Sequence, residues 1–138
     1  MQYLSLEKYR NGLLLLVRIL LMVLFVLFGW EKLIGFSGTI GYMASVGAPL
    51  PSVAAAVAVI VELGFGILII AGFYTRPLAI VLAVYTVITG LMGHQYWHMT
   101  GMEQYMAMIN FYKNISIAGG FLALELTGNH GLSRQNPL

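Results

Sequence analysis

Four ionisable side chains lie inside stretches that are otherwise apolar enough to cross a bilayer: Arg18, Glu62, Lys113 and Glu125. A charge at the centre of a span costs about 2.5–3.5 kcal/mol even on insertion scales, so such groups face one another, water or a ligand rather than lipid. The chain holds only 7 Lys and Arg and 5 Asp and Glu in 138 residues. One third of the charges are therefore placed where charge is unfavourable, which makes them the first candidates for function.

The two mid-membrane charges could hold or transfer a proton. Counting the rise per residue along each span puts Glu62 at a depth of ~17 Å and Lys113 at ~21 Å. Such a pair either fixes helix register or holds an anionic or quinone-like headgroup. We expect a polar pocket in the outer half of the protein, with these candidate residues: Glu31, Lys32, Glu62, His94, Asn110 and Lys113.

The other two charges lie closer to a membrane surface. The same counting puts Arg18 at ~8 Å and Glu125 at ~3 Å from the inner interface. Both side chains can reach headgroup water from there. We expect Arg18 and Glu125 to form a structural ion pair rather than a catalytic one.

A metal site has little support from the sequence. His94 and His98 are four residues apart and would share a face only if the third span continued as a helix. Two His residues without a fixed third ligand are a weak signal, and both also fit a polar membrane interface. The chain has no Cys, which excludes disulfides and thiolate ligands within it. We expect no metal and no cofactor held by this chain alone.

The candidate residues require helices that cross the membrane. Hydrophobic residues make up 59% of the chain and charged residues 9%, whereas soluble domains have about 25% charged residues. The apolar runs predict four spans of near the usual ~20 residues, at about 13–34, 53–73, 78–97 and 106–127. We therefore predict an all-α membrane protein, a single domain over residues 1–138 that forms a four-transmembrane-helix bundle. The Gly-rich Phe36–Pro51 segment is expected to form a short interfacial helix.

The basic residues predict the orientation. Four spans put both termini on one side of the membrane, together with Lys8, Arg10, Arg76 and Arg134. The other side holds only Lys32, so the positive-inside rule places both termini in the cytoplasm. The net charge of +2 is too small and too scattered to indicate nucleic-acid binding.

Several short segments, in order, resemble the DoxX family of small four-span membrane proteins of the bacterial inner membrane. They are Arg18–Leu21, Phe28–Lys32, Gly38-Thr39, Tyr42-Met43, Gly47, Pro49, Glu62–Gly64 with Gly66, Gly72-Phe73, Thr75-Arg76, His94, Lys113-Asn114, Gly119–Leu122 and Thr127–Ser133. The likeness covers nearly the whole chain. It departs at the end, where the family usually has Pro and Gly at the places of Asn129 and His130 and Asp at the place of Arg134.

The resemblance implies a four-helix bundle in the bacterial inner membrane. The family takes its name from a subunit of an archaeal thiosulfate:quinone oxidoreductase, and its members are often described as accessory parts of redox systems. It thus implies an accessory subunit of a quinone-linked redox system, with quinone as ligand and a redox protein as partner. Two alternatives stay open: a membrane scaffold or assembly factor without chemistry, and a carrier of small solutes or protons that works as a homo-oligomer.

Overall fold

The computed structural model describes residues 6–127, and the regular elements in that range are all helical. The segment that carries the departures from the family ending, at Asn129, His130 and Arg134, lies outside the described residues. After a 3₁₀ turn at Leu6–Tyr9 the helices are α1 (Arg10–Ile34), α2 (Phe36–Ser45), α3 (Pro51–Ala71), α4 (Thr75–Gly93) and α5 (Gly101–Thr127). A second 3₁₀ turn, Tyr96–His98, lies between α4 and α5.

Three segments within residues 6–127 are long and apolar enough to cross a membrane. They are Arg10–Ile34, Pro51–Ala71 and Thr75–His98. They confirm three of the four predicted spans. The fourth predicted span corresponds to α5, a helix of 27 residues. Because of its polar side chains, α5 is not among the segments apolar enough to cross a membrane. The short helix expected between the first two spans is present as α2.

Local backbone geometry ends two helices before the apolar runs end. Gly72 adopts φ +88°, and the N–H groups of Gly72 and Phe73 bond back to the carbonyls of Ile69 and Leu68. This is a Schellman-type stop, for which Gly is well suited because it has no Cβ. At the end of α4, His94 leaves the helical region with φ −129° and ψ 58°. The α-helix of the third predicted span therefore ends at Gly93, and the 3₁₀ turn Tyr96–His98 completes the apolar segment Thr75–His98.

Small residues allow close approach between the helices. Gly66 of α3 lies against Met22 and Val26 of α1, and Gly120 of α5 lies against Leu21. Phe25 of α1 packs edge-on against Phe121 of α5, with 5.5 Å between ring centroids. The fully buried core is made by large apolar side chains from four helices: Met22, Ile69, Leu82, Phe121 and Leu124.

Neighbouring long helices run antiparallel, which divides the molecule into two ends. One end holds the C-terminus of α1, the helix α2 and the start of α3, and also the end of α4 and the start of α5. We call it the α2 end. The other end carries Arg10, Arg18 and Arg76, and we call it the basic end.

Candidate functional site

Glu62 is held in a turn of π-helix in the middle of α3. Residues Ile60–Phe65 wind with the wider π spacing, and Glu62 is buried with 7% of its surface exposed. Single π turns are uncommon and often lie at functional sites. Gly29 of α1 packs directly against this turn, because a Cβ there would be 2.6 Å from the backbone nitrogen of Leu63. The close contact brings the last turns of α1 alongside Glu62.

Both carboxylate oxygens of Glu62 have partners from other helices. The ammonium of Lys32 donates to Oε1 at 2.9 Å, and the hydroxyl of Tyr85 donates to Oε2 at 2.5 Å. The Lys32 ammonium also lies 5.9 Å from the centre of the Phe28 ring. The cluster of Lys32, Glu62 and Tyr85 thus joins α1, α3 and α4 and balances the one buried carboxylate of α3.

The expected pairing of Glu62 with Lys113 is not found. Lys113 is exposed, and it makes no hydrogen bond or ion pair with any residue between 6 and 127. The reason is geometric: Gly29 sets α1 against Glu62, and Lys32 lies one turn further along the same face. Lys113 lies on α5, which borders the same cavity.

A cavity of about 680 Å³ lies at the α2 end, between α1, α4 and α5, with Glu62 of α3 in its wall. The six pocket candidates chosen from the sequence all line it: Glu31, Lys32, Glu62, His94, Asn110 and Lys113. Helix α2 contributes Thr39, Tyr42 and Met43. The cavity brings a paired carboxylate and an unpaired ammonium to one space with apolar walls from Phe25, Phe28 and Ile117.

Two tyrosines of the cavity were missed by reasoning from sequence. Tyr85 lies in the middle of an apolar helix, and a Tyr away from the membrane interface signals a buried hydrogen bond. Tyr42 comes from α2, and its hydroxyl lies against Gly93, where a Cβ would be 2.8 Å away. Burial, and then the nearby Glu62 carboxylate, raise the pKa of Tyr42 above its ordinary value of 10.0. Its hydroxyl therefore stays protonated at neutral pH and can donate a hydrogen bond.

Asn114 was also missed, although it follows Lys113 directly. Its side-chain amide donates to the backbone carbonyl of Thr86 at 3.2 Å. Gly90 makes room for it, because a Cβ at Gly90 would be 3.2 Å from the Asn114 amide nitrogen. This bond fixes α5 against α4 and so sets the position of Lys113.

The two histidines do not form a metal site with other described residues. Because α4 ends at Gly93, His94 and His98 do not share a helical face. His94 lines the cavity, whereas His98 is exposed and packs edge-on against Trp97. Between residues 6 and 127, no three His, Asp or Glu side chains come together in a way that could hold a metal ion.

The expected ion pair of Arg18 with Glu125 is wrong. Glu125 pairs instead with Arg76 at the start of α4, at 3.4 Å. Arg18 points to the turn between α3 and α4, where its Nη1 is 3.5 Å from the position of a Cβ on Gly72. Arg10 bonds the last carbonyl of α5, that of Thr127, at 3.2 Å. Arg76 is nearer to Glu125 because α4 and α5 pack along their length.

Comparison with known proteins gives a consistent family assignment. The family model described as DoxX matches residues 13–95. The chain is similar to inner membrane protein YphA of Escherichia coli strain K12, with 48% identity over 133 residues, 96% of this chain and 95% of the relative. It is also similar to inner membrane protein YqjF of the same strain, with 35% identity over 125 residues and 88% of each chain. No solved structure matches.

Proposed function

Because the chain belongs to the DoxX family and is a multi-pass protein of the bacterial inner membrane, we propose that it serves a quinone-linked redox system as an accessory, quinone-binding subunit. The observation that supports this proposal is the cavity at the α2 end. It combines hydrogen-bond donors, a buried carboxylate and apolar walls in one space of about 680 Å³. Ligand sites usually have this composition: mostly apolar, with a few convergent polar groups.

The polar groups of the cavity suit the two carbonyl oxygens of a quinone ring. The Lys113 ammonium has no partner between residues 6 and 127, and the Tyr42 hydroxyl is held protonated. Both can donate to a carbonyl oxygen. A bound quinone takes up two electrons and two protons to become a quinol; in this proposal a partner protein with a redox centre supplies the electrons. The hydrogen-bonded chain of Lys32, Glu62 and Tyr85 lies in the cavity wall and is the proposed route for the protons.

The side of the cavity suits a ligand with an apolar tail. Helix α1 contacts α5 at Leu21, which lies against Gly120, and at Phe25, which packs against Phe121 and also forms part of the cavity wall. Leu24 and Phe28 of α1 also line the cavity, and their side chains are 37% and 45% exposed. A tail that leaves between α1 and α5 would therefore pass apolar side chains into lipid.

This proposal includes α5 as the fourth span and both termini in the cytoplasm. A helix of 27 residues is ~40 Å long, which exceeds the ~30 Å hydrocarbon core. The polar side chains Asn110, Lys113 and Asn114 of α5 then face the cavity or α4 rather than lipid. The cavity accordingly opens in the periplasmic half.

Quinone retained by the purified protein tests the proposal. The protein extracted from membranes in mild detergent should carry quinone at up to one molecule per chain, measured by solvent extraction and chromatography. Lys113→Met should reduce the amount of retained quinone by about tenfold or more, because a hydrogen bond from a charged donor is lost. Lys8→Met, which removes a cation at the basic end, is the matched control and should retain quinone.

The same experiment separates the competing functions. If wild-type protein retains no quinone, and Glu62→Gln leaves every redox phenotype of the cell unchanged, the quinone proposal is wrong. A scaffold role predicts that the variants fold and still bind their partner proteins. A carrier role predicts proton or small-acid flux into liposomes above that of empty vesicles.

A further inference from the structure

The guanidinium of Arg18 lies at the turn between α3 and α4, inside the apolar part of α1. Arg18 is eight residues from the start of α1 at Arg10, or ~12 Å along the helix. Its Nη1 lies 3.5 Å from the position that a Cβ on Gly72 would occupy. Gly72 has no side chain and turns the backbone with φ +88° at the end of α3. The Arg18 guanidinium therefore lies next to the backbone of this turn.

Arg18 makes no hydrogen bond or ion pair with the described part of the chain. Its Nε is buried without a partner, and no carboxylate between residues 6 and 127 lies within ion-pair distance. Glu62 and Glu125 already bind Lys32 and Arg76. Charged groups within a span need a partner, so the partner of Arg18 comes from outside these residues.

The surroundings of Arg18 favour an anion that carries hydrocarbon chains. The basic end holds four cations, Lys8, Arg10, Arg18 and Arg76, against two carboxylates, Glu7 and Glu125, a balance of +2 at that end. On α1 the neighbours of Arg18 are lipid-facing: Leu15 is 42% exposed and Ile19 is 41% exposed. An anion that reaches Arg18 therefore lies beside acyl chains. Basic pockets between helices on the cytoplasmic side of membrane proteins are typical sites for anionic lipid headgroups.

We propose that Arg18 and the α3–α4 turn form a binding site for the phosphate of an anionic phospholipid, such as phosphatidylglycerol. Arg18 donates to the phosphate oxygens, and its planar guanidinium can do so through two parallel bonds. The acyl chains lie along the apolar face of α1. This site is at the opposite end from the cavity and does not depend on the proposed binding of quinone.

Lipid binding to purified protein by native mass spectrometry tests the proposal. The probe is an equimolar mixture of phosphatidylglycerol and phosphatidylcholine. Wild-type protein should retain one phosphatidylglycerol in preference to phosphatidylcholine. Arg18→Gln should lower the preference for phosphatidylglycerol over phosphatidylcholine by about tenfold or more, because a charge-assisted hydrogen bond is lost. Lys8→Gln removes an equal charge at the same end. It should lower the preference for phosphatidylglycerol by at most about fivefold, which is the effect of one surface cation.

Equal preference for phosphatidylglycerol in wild type and Arg18→Gln would overturn the proposal. If Arg18→Gln does not fold, the wild-type protein provides a second measurement. Its unfolding temperature in phosphatidylcholine nanodiscs should rise when roughly 20–30% phosphatidylglycerol is included, because a ligand that binds only the folded state stabilises it. No rise would show that the partner of Arg18 is not an anionic lipid, for example because residues 128–138 provide it.

Discussion

At the scale of single residues, the cavity is lined by two charged groups that differ in their bonding. The Glu62 carboxylate has a hydrogen-bond partner on each oxygen, whereas the Lys113 ammonium has none among residues 6–127. Glu62 accepts from Lys32 on one oxygen and from Tyr85 on the other. The first group is bound to the fold, so its replacement should affect stability. The second is available to a ligand, so its replacement should affect binding.

Replacing Lys32 by Met should destabilise the protein by about 3–5 kcal/mol, because the Glu62 carboxylate then stays buried without its cation. The double variant Lys32→Met/Glu62→Gln removes both charges and should recover most of this loss. Unfolding of the purified protein in a series of detergent mixtures measures the free energies. Lys113→Met is the control and should change the free energy of unfolding by less than about 1 kcal/mol. Equal stability of the single and double variants would show that Lys32 and Glu62 are not coupled.

The sequence indicated which residues carry charge in the membrane but not which of them pair. Hydropathy and helical spacing bring Glu31, Lys32, Glu62, His94 and Lys113 to one layer, and the structure places them around one cavity. That they bind a ligand stays a prediction. The choice of Lys32 over Lys113 depends on how closely α1 approaches α3, which is set by Gly29 and cannot be read from periodicity along one helix.

At the scale of helices, the π turn of α3 and the glycine of α1 act together. Gly29 contacts the backbone of Leu63, so α1 reaches the turn that carries Glu62. Apolar runs predict where a helix exists, which is why three spans are recovered. They do not predict a π turn, which inserts one residue without changing composition, nor the early ends of α3 and α4, which follow from backbone dihedrals at Gly72 and His94.

Gly29→Ala should separate α1 from the π turn. The added Cβ would be 2.6 Å from a backbone nitrogen, so a helix must move, and overpacking of this kind costs about 1–3 kcal/mol. The displacement should also weaken the Lys32–Glu62 bond. Gly64→Ala, in the same π turn, is the matched control because a Cβ there meets nothing within 4 Å. It should leave stability unchanged or raise it. A Gly29→Ala variant as stable as wild type would contradict the close contact.

At the scale of the whole molecule, the proposed function requires four spans with both termini in the cytoplasm. The wild-type chain has no Cys, so single Cys variants can report topology directly. Ser45→Cys and Met102→Cys, at the α2 end, should react with a membrane-impermeant thiol reagent added to intact spheroplasts. Tyr74→Cys and Leu126→Cys, at the basic end, should react only after the membrane is permeabilised. Labelling of Met102→Cys and Leu126→Cys from the same side would show that α5 does not span.

The central claim is that the cavity at the α2 end binds a quinone headgroup. The most direct measurement is the crystal structure of the protein grown in a lipidic mesophase with a brominated short-tail quinone, read from the anomalous signal of bromine. The account predicts a bromine peak inside the cavity, with a ring carbonyl oxygen within about 3.2 Å of the Lys113 ammonium. A bromine signal confined to the outer, lipid-facing surface of the helices, with the cavity free of quinone at saturating concentration, would contradict it.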